Sequence, residues 1–136
     1  MSEFKCEDVL PYNSHECKKE QISKMFDHIA GTYDPMNHLM SLGQDRRWRR
    51  KAIERLASFN PQRILDVATG TGDFAIVASL SLQSDYLLGV DISEGMMNVG
   101  RDKVQKLGLS EKIHFQYGDA TELPLESDSF DAATIA

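Results

Sequence analysis

The sequence predicts an α/β fold, a doubly wound parallel sheet entered through a layer of helices. Two observations carry that prediction. Between Arg63 and Tyr117, short apolar and β-branched runs alternate with amphipathic stretches of helical period, the pattern of parallel strands joined by crossover helices. The first run, Ile64-Leu65-Asp66-Val67, turns through Gly70 and Gly72 straight into Phe74-Ala75-Ile76-Val77, which reads as the strand, tight turn and helix of a nucleotide-binding unit. The 136 residues suit one domain of ordinary size, and 41% hydrophobic with 26% charged residues are globular values.

In chain order, residues 1–15 lack periodicity and read as a mobile tail, without the hydrophobic core of a signal peptide, so a cytoplasmic protein is expected. Residues 16–60 form a helical cap. Its first helix carries Ile22, Met25, Phe26, Ile29 and Ala30 at i, i+3, i+4, i+7 and i+8, and Gly31 is placed to end it. Asp34 and Pro35 read as N-cap and first residue of a short helix bearing Met36, Leu39 and Met40, closed by Gly43. A third helix, Asp45 to Ser58, is expected to bury Trp48, Ala52, Ile53 and Leu56.

Residues 61–136 hold the sheet. Strands are expected at Arg63–Val67, Tyr86–Val90, Lys112–Tyr117 and Phe130–Ala136, with helices at Gly72–Ser81 and Ser93–Leu107. Ser93 is the expected N-cap, Glu94 suits the first turn, and Gly108 the stop. The fourth strand should lie beside the first, where the sheet is expected to be cut short. Its free edge would then pair with a second copy to make a homodimer, be covered by the N-terminal helices, or fray.

Charge and cysteine usage narrow the function. A net charge of −6 argues against general nucleic-acid binding, and no apolar run reaches membrane-spanning length. Cys6, Cys17 and His15 make a poor zinc set and read as free thiols and a histidine, with no metal expected.

The glycine motif leaves two ligands open. Gly70-Thr71-Gly72-Asp73-Phe74-Ala75 fits the dinucleotide pattern G-x-G-x-x-A, with Asp91 at about the ribose-binding distance. In either case Gly70 permits the turn and Gly72 a close backbone approach at a helix N-terminus. Asp66 tips the balance, because a carboxylate at that strand end repels a pyrophosphate but attracts the sulfonium and ammonium of S-adenosylmethionine. The competing account is that Asp66 only orders the turn. Ligands of such sheets bind outside the carboxyl ends of the strands. There Asp91 can accept both ribose hydroxyls, and Asp119 can accept the adenine amino group while the Ala120 N–H donates to a ring nitrogen. Gly118-Asp119 is also a common turn.

The motifs Leu65-Asp66-Val67-Ala68-Thr69-Gly70-Thr71-Gly72-Asp73, Val90-Asp91-Ile92-Ser93-Glu94-Gly95-Met96-Met97 and Gly118-Asp119-Ala120-Thr121-Glu122-Leu123-Pro124 resemble class I S-adenosylmethionine-dependent methyltransferases, a Rossmann-like fold. The segment from Phe26 to Gly43, including Tyr33-Asp34-Pro35-Met36-Asn37, followed by Arg47-Trp48-Arg49-Arg50, resembles more specifically the ubiquinone/menaquinone biosynthesis C-methyltransferases. The resemblance implies S-adenosyl-L-methionine as cofactor, with Thr71, Asp91, Asp119 and Ala120 in contact with it, Ile92 beside Asp91, Asp66 below, and Gly70 and Gly72 shaping the loop. Ala136 departs from a serine that some members carry near the cofactor. The resemblance also implies three further strands beyond strand four, so that the chain alone is expected to be inactive.

The implied reaction is methylation of a ring carbon of demethylmenaquinol, or a related benzoquinol, a prenylated quinol substrate. It needs a base or ordered water. His28 and Asp34 are candidates, and the missing half is the other place for it. Tyr33 either packs at a helix start or offers its ring near the sulfonium. Arg46, Arg47, Arg49, Arg50 and Lys51 around Trp48 read first as a solvated helix face, and second as a contact with an anionic membrane surface. Two rival functions remain: a nicotinamide-dependent dehydrogenase using the same glycines, and a cofactor-binding module without catalysis.

Overall fold

The structure, a computed structural model, describes residues 16–135. The expected tail, Cys6, His15 and Ala136 lie outside the described residues. Three helices, α1 (Lys18–Ile29), α2 (Tyr33–Met40) and α3 (Gln44–Ala57), precede β1 (Arg63–Val67), α4 (Asp73–Ser81), β2 (Tyr86–Asp91), α5 (Glu94–Lys106), β3 (Ile113–Tyr117) and β4 (Ala132–Ile135). All strand pairs are parallel and the order is β3-β2-β1-β4, so β4 lies beside β1 as expected.

Strand alternation sends the apolar residues to two cores. Ile64, Leu87 and Ile113 meet Phe74, Ala75, Ile76 and Ala78 of α4 and Val104 of α5, with Ile53 of α3 at the border. On the other sheet face, Leu65, Leu88 and Val90 are covered by Leu123, Leu125 and Phe130 from the β3–β4 connection. Each fully buried Ile or Leu contributes about 1.5–3 kcal/mol. Ser93 caps α5 by accepting from the Met96 N–H at 3.1 Å, and Gly108 leaves the helix at φ +70°, both as expected.

Several glycines answer to close packing. A Cβ on Gly72, at φ +77°, would lie 2.7 Å from Cζ of Phe115, and one on Gly100 would lie 2.8 Å from the same atom. The Phe115 ring edge is therefore seated between the glycine loop and α5. At Gly89 the crowding group is the Thr69 side chain.

The cap departs from expectation in three places and adds to it in a fourth. Gly31 does not end α1: the helix stops at Ile29, whose carbonyl receives the Thr32 N–H at 3.0 Å and the Thr32 hydroxyl at 3.3 Å. Asp34 is not an N-cap but sits in the first turn of α2 behind Thr32, its carboxylate drawn away to Thr71 and Lys103. Gly43 closes α2 as expected, its N–H reaching the His38 carbonyl and the Leu42 N–H that of Leu39, both at 3.2 Å, and it also serves as N-cap of α3, Leu42 (φ +52°) and Gly43 (φ +79°) together reversing the chain. Trp48 is 64% exposed, since α3 presents Ile53, with Ala52 and Leu56, to the core and leaves Trp48 at the rim.

The α2 helix is seated polar side down. Asp34 and Asn37 line a cleft against the sheet, while Met36, Leu39 and Met40 are exposed and α2 buries no residue. At the far end of β4, the Asp131 carboxylate accepts the backbone N–H groups of Gln62 and Arg63, both at 2.9 Å, pinning the two strand starts together. Those N–H groups hold its pKa below the ordinary carboxylate range.

Candidate functional site

The carboxyl ends of β1, β2 and β3 converge on one side of the sheet with the glycine loop between β1 and α4. Ala68, Gly70 and Gly72 all have positive φ (+57°, +58° and +77°), so the loop is a succession of left-handed turns. The Thr69 N–H reaches the Val90 carbonyl at 3.0 Å and fastens the loop to β2.

Asp91, at the end of β2, ties this loop to the next. One oxygen accepts the Gly70 N–H at 2.8 Å and the other the Ser93 N–H at 2.9 Å. A carboxylate oxygen has two lone pairs, so each keeps one for a ligand hydroxyl. Ile92 is half-buried beside it, its carbonyl held by the Ser23 hydroxyl of α1 at 2.7 Å.

Asp66 is 1% exposed beneath the loop, accepting the hydroxyls of Thr69 and of Thr134 on β4, both at 2.7 Å. Burial raises its pKa above the ordinary carboxylate range; the two hydroxyls oppose the rise and the Asp91 charge adds to it. Asp66 therefore orders the turn and links β1, the loop and β4, whatever else it does for a ligand.

Asp119 follows β3. Its carboxylate is paired with Lys19 of α1 at 2.8 Å and also accepts the Thr121 N–H and hydroxyl, and these partners, Lys19 first, hold its pKa well below the usual range. Ala120 is exposed. From the same helix, Asp27 accepts the Ser93 hydroxyl and the Gly95 N–H, so α1 is bolted across the ends of β2 and β3. Sequence reasoning missed Lys19, Ser23 and Asp27. Their partners lie more than sixty residues away, and nothing local marks them.

On the other side of the loop a cleft of about 760 Å³ opens between α2, α3, the glycine loop and the end of β4. Its walls include Tyr33, Asp34, Asn37, Trp48, Arg49, Thr71 and Ile135. The volume is that of a small-molecule site. Tyr33 thus stands over the loop, with Phe26 edge-on to its ring at 6.4 Å. Of the two expected base candidates, Asp34 lines this cleft, whereas His28 is exposed on α1 away from it.

A charged network that the sequence did not suggest underlies the cleft. The Thr71 hydroxyl is hydrogen-bonded to Asp34, and Lys103 of α5 reaches Asp34, Thr71 and Asp73. Arg49 bridges Asp73 at 3.3 Å and Asp45 at 2.7 Å. Burial works against ionisation of Asp45, yet the Ser41 hydroxyl, His38 and Arg49 together lower its pKa to about 2. Arg49 is thus absorbed into the interior. Arg46, Arg47 and Arg50 are exposed and have no ion pair among the described residues.

A model of the ubiE/COQ5 methyltransferase family matches residues 14–136. A demethylmenaquinone methyltransferase of Bacteroides fragilis is 58% identical over 130 residues, 96% of this chain and 53% of that protein. A ubiquinone/menaquinone biosynthesis C-methyltransferase UbiE of Geobacter sulfurreducens is 43% identical over 136 residues, 98% of this chain and 53% of that protein. The chain spans about half the length of the curated relatives it matches. Among solved structures, the cyclase SpnF superposes with TM-score 0.66 at 22% identity over 85% of this chain and 47% of that one, a likeness of fold. Phosphoethanolamine N-methyltransferase 2 of Haemonchus contortus, solved with S-adenosyl-L-methionine, gives TM-score 0.50 at 31% identity over 54% of this chain and 17% of that one.

Proposed function

The chain belongs to the ubiE/COQ5 methyltransferase family, and from that premise we propose that the protein methylates a ring carbon of demethylmenaquinol, with this chain supplying the cofactor half. The observation that carries the proposal is Asp66, a buried carboxylate directly under a glycine loop. A pyrophosphate there would meet a negative charge; a sulfonium and an ammonium meet an attractive one. S-adenosyl-L-methionine, when bound, supplies an electrophilic methyl group on a good leaving group.

The chain's own residues bind and orient. Asp91 offers its remaining lone pairs to ribose hydroxyls, Asp119 and Ala120 take the adenine, and Gly70, Gly72 and Thr71 shape the loop against the amino-acid end. Tyr33 and Trp48 give the cleft apolar walls for an aromatic acceptor, which positioning alone brings into line for displacement. The acceptor carbon is nucleophilic as the deprotonated quinol, and Asp34, one of the carboxylates lining the cleft, is the one we assign that task.

Two surfaces extend the reading. The outward apolar face of α2, with Leu39 73% and Met40 78% exposed, adjoins Arg46, Arg47 and Arg50, which have no ion pair among the described residues, and the exposed Trp48, a combination suited to the anionic inner face of a membrane that holds a prenylated quinol. The edge of β4, where Ile135 is 72% exposed, is suited to pairing with a second copy.

Calorimetry with S-adenosylhomocysteine and with NAD tests the cofactor assignment: tighter binding of NAD overturns it. Labelled methyl transfer to demethylmenaquinol by the whole protein tests the reaction. This chain alone is expected to bind without turnover.

A further inference from the structure

Lys103 projects from α5 into the space between the glycine loop and α2, and its ammonium is fully used. Its three N–H groups face three oxygens: Asp34 Oδ2 and Asp73 Oδ1 at 2.6 Å each, and Thr71 Oγ1 at 3.1 Å. The Thr71 hydroxyl donates to the other oxygen of Asp34, so it receives Lys103 on its lone pair. Lys103, Asp34 and Thr71 thus close a ring joining α5, α2 and the glycine loop, and Asp73 extends it to Arg49 of α3. The Lys103 side chain is 27% exposed, so these contacts are partly withdrawn from water. Because α2 buries no residue, its seat rests largely on polar contacts, these charges and the His38–Asp45 pair, beside the ring contact of Tyr33 with Phe26.

We propose that Lys103 is a positioning residue for the cofactor site, clamping α2 over the glycine loop and fixing the direction of the Thr71 hydroxyl. The ligand consequence rests on the proposed function, in which Thr71 meets the amino-acid end of the cofactor. Without the ammonium, Asp34 keeps only the Thr71 hydroxyl and Asp73 only its longer contact with Arg49, so the polar tie of α2 and the loop to α5 is lost, and α2 should swing off the loop and carry the cleft wall at Tyr33 and Asn37 with it.

The test is amide hydrogen exchange and homocysteine-form cofactor binding, on this chain and on the whole protein, for Lys103→Met, Lys103→Arg and Asp34→Asn. In Lys103→Met, α2 amides should exchange at least tenfold faster while β1 and β2 keep their protection, and S-adenosylhomocysteine affinity should fall about tenfold, the scale of a lost charge-assisted contact. Lys103→Arg should recover most of both. In the unmutated chain, α2 exchange should quicken as salt screens the clamp. Protection of α2 unchanged in Lys103→Met, or lost uniformly with the whole fold, overturns the clamp. Should Lys103→Met not fold, Asp34→Asn keeps the Lys103–Asp73 pair and must show the same selective loss in α2. Exchange in the ligand-free chain needs no cofactor, so a chain that fails to bind S-adenosylhomocysteine refutes the proposed function without touching this result.

Discussion

Replacing Gly72 by alanine tests whether the glycine loop is shaped by the sheet behind it. The new methyl group has two costs that can be separated. At φ +77° a side chain of L configuration is strained by about 1–2 kcal/mol. The Cβ would also stand 2.7 Å from Cζ and 3.0 Å from Cε1 of Phe115, and the same ring edge abuts Gly100, where a Cβ would stand 2.8 Å from Cζ, so the ring has little room to retreat. Overpacking of this kind costs typically about 1–3 kcal/mol, so the sum is about 2–5 kcal/mol, a large share of the 5–15 kcal/mol of a typical domain. Gly70→Ala is the control: φ is +58°, but the nearest atom to its Cβ is Met96 Cε at 3.4 Å, ordinary contact, so only strain of about 1–2 kcal/mol applies. Phe115→Leu removes the clashing atoms, and in the double variant the overpacking cost should vanish while the strain remains. Urea unfolding of the four proteins of this cycle gives the coupling directly. Equal losses in Gly72→Ala and Gly70→Ala, or no coupling with Phe115, would refute the argument.

Asp91→Ala should weaken S-adenosylhomocysteine binding by roughly 2 kcal/mol or more, since ribose hydroxyls lose a charged acceptor and the Gly70 and Ser93 N–H groups lose theirs; unchanged affinity by calorimetry in a folded variant would move the ribose elsewhere. Asp66→Asn should stabilise the ligand-free protein at neutral pH while weakening cofactor binding. The folded carboxyl has a raised pKa, so its favourable contribution is complete only below the ordinary carboxylate value and is lost as pH rises through the folded one. Thermal midpoints of the two proteins should therefore diverge as pH rises above about 4, and parallel curves would sink the idea. Asp119 has the opposite sign: its depressed pKa gives stability present above the ordinary carboxylate range and lost as pH falls through the folded value, so Asp119→Asn should flatten the acid limb of the stability curve below about pH 4.

What the sequence disclosed divides along a physical line. The sheet and its crossover helices were legible because their signals are local: β-branched runs, helical period, Ser93 before an acidic first turn, Gly108 behind the last. The placement of Asp66, Asp91 and Asp119 at or just beyond the carboxyl ends of β1, β2 and β3 was legible for the same reason. The cap was misread wherever its conformation is set from outside. Trp48 looked like core because burial is the default for an indole, yet the face of α3 was decided by what Ile53 and Arg49 meet on α4. Asp34 before a proline looked like an N-cap, yet Lys103 and Thr71 offered its carboxylate stronger partners than the free N–H groups of its own helix. The apolar face of α2 was legible, but not that it would point outward.

Those partners bear on how the site works. Every polar side chain assigned to the cofactor already has a protein partner: Asp66 holds two threonines, Asp91 two backbone N–H groups, Asp119 Lys19 and Thr121, and Thr71 Asp34 and Lys103. Under the proposed assignment, binding is an exchange of hydrogen bonds at Asp119, where Lys19 is a movable side chain from the cap, and an addition at Asp91, where the partners are fixed backbone. Affinity from Asp91 should be nearly independent of the cap. Affinity from Asp119 is then what remains after Lys19 of α1 has been displaced or shared. On the proposed assignment, with Lys103 clamping α2 over the loop, cofactor binding and the seating of α1 and α2 are one equilibrium, in which salt and pH act on the cap and reach the cofactor through it.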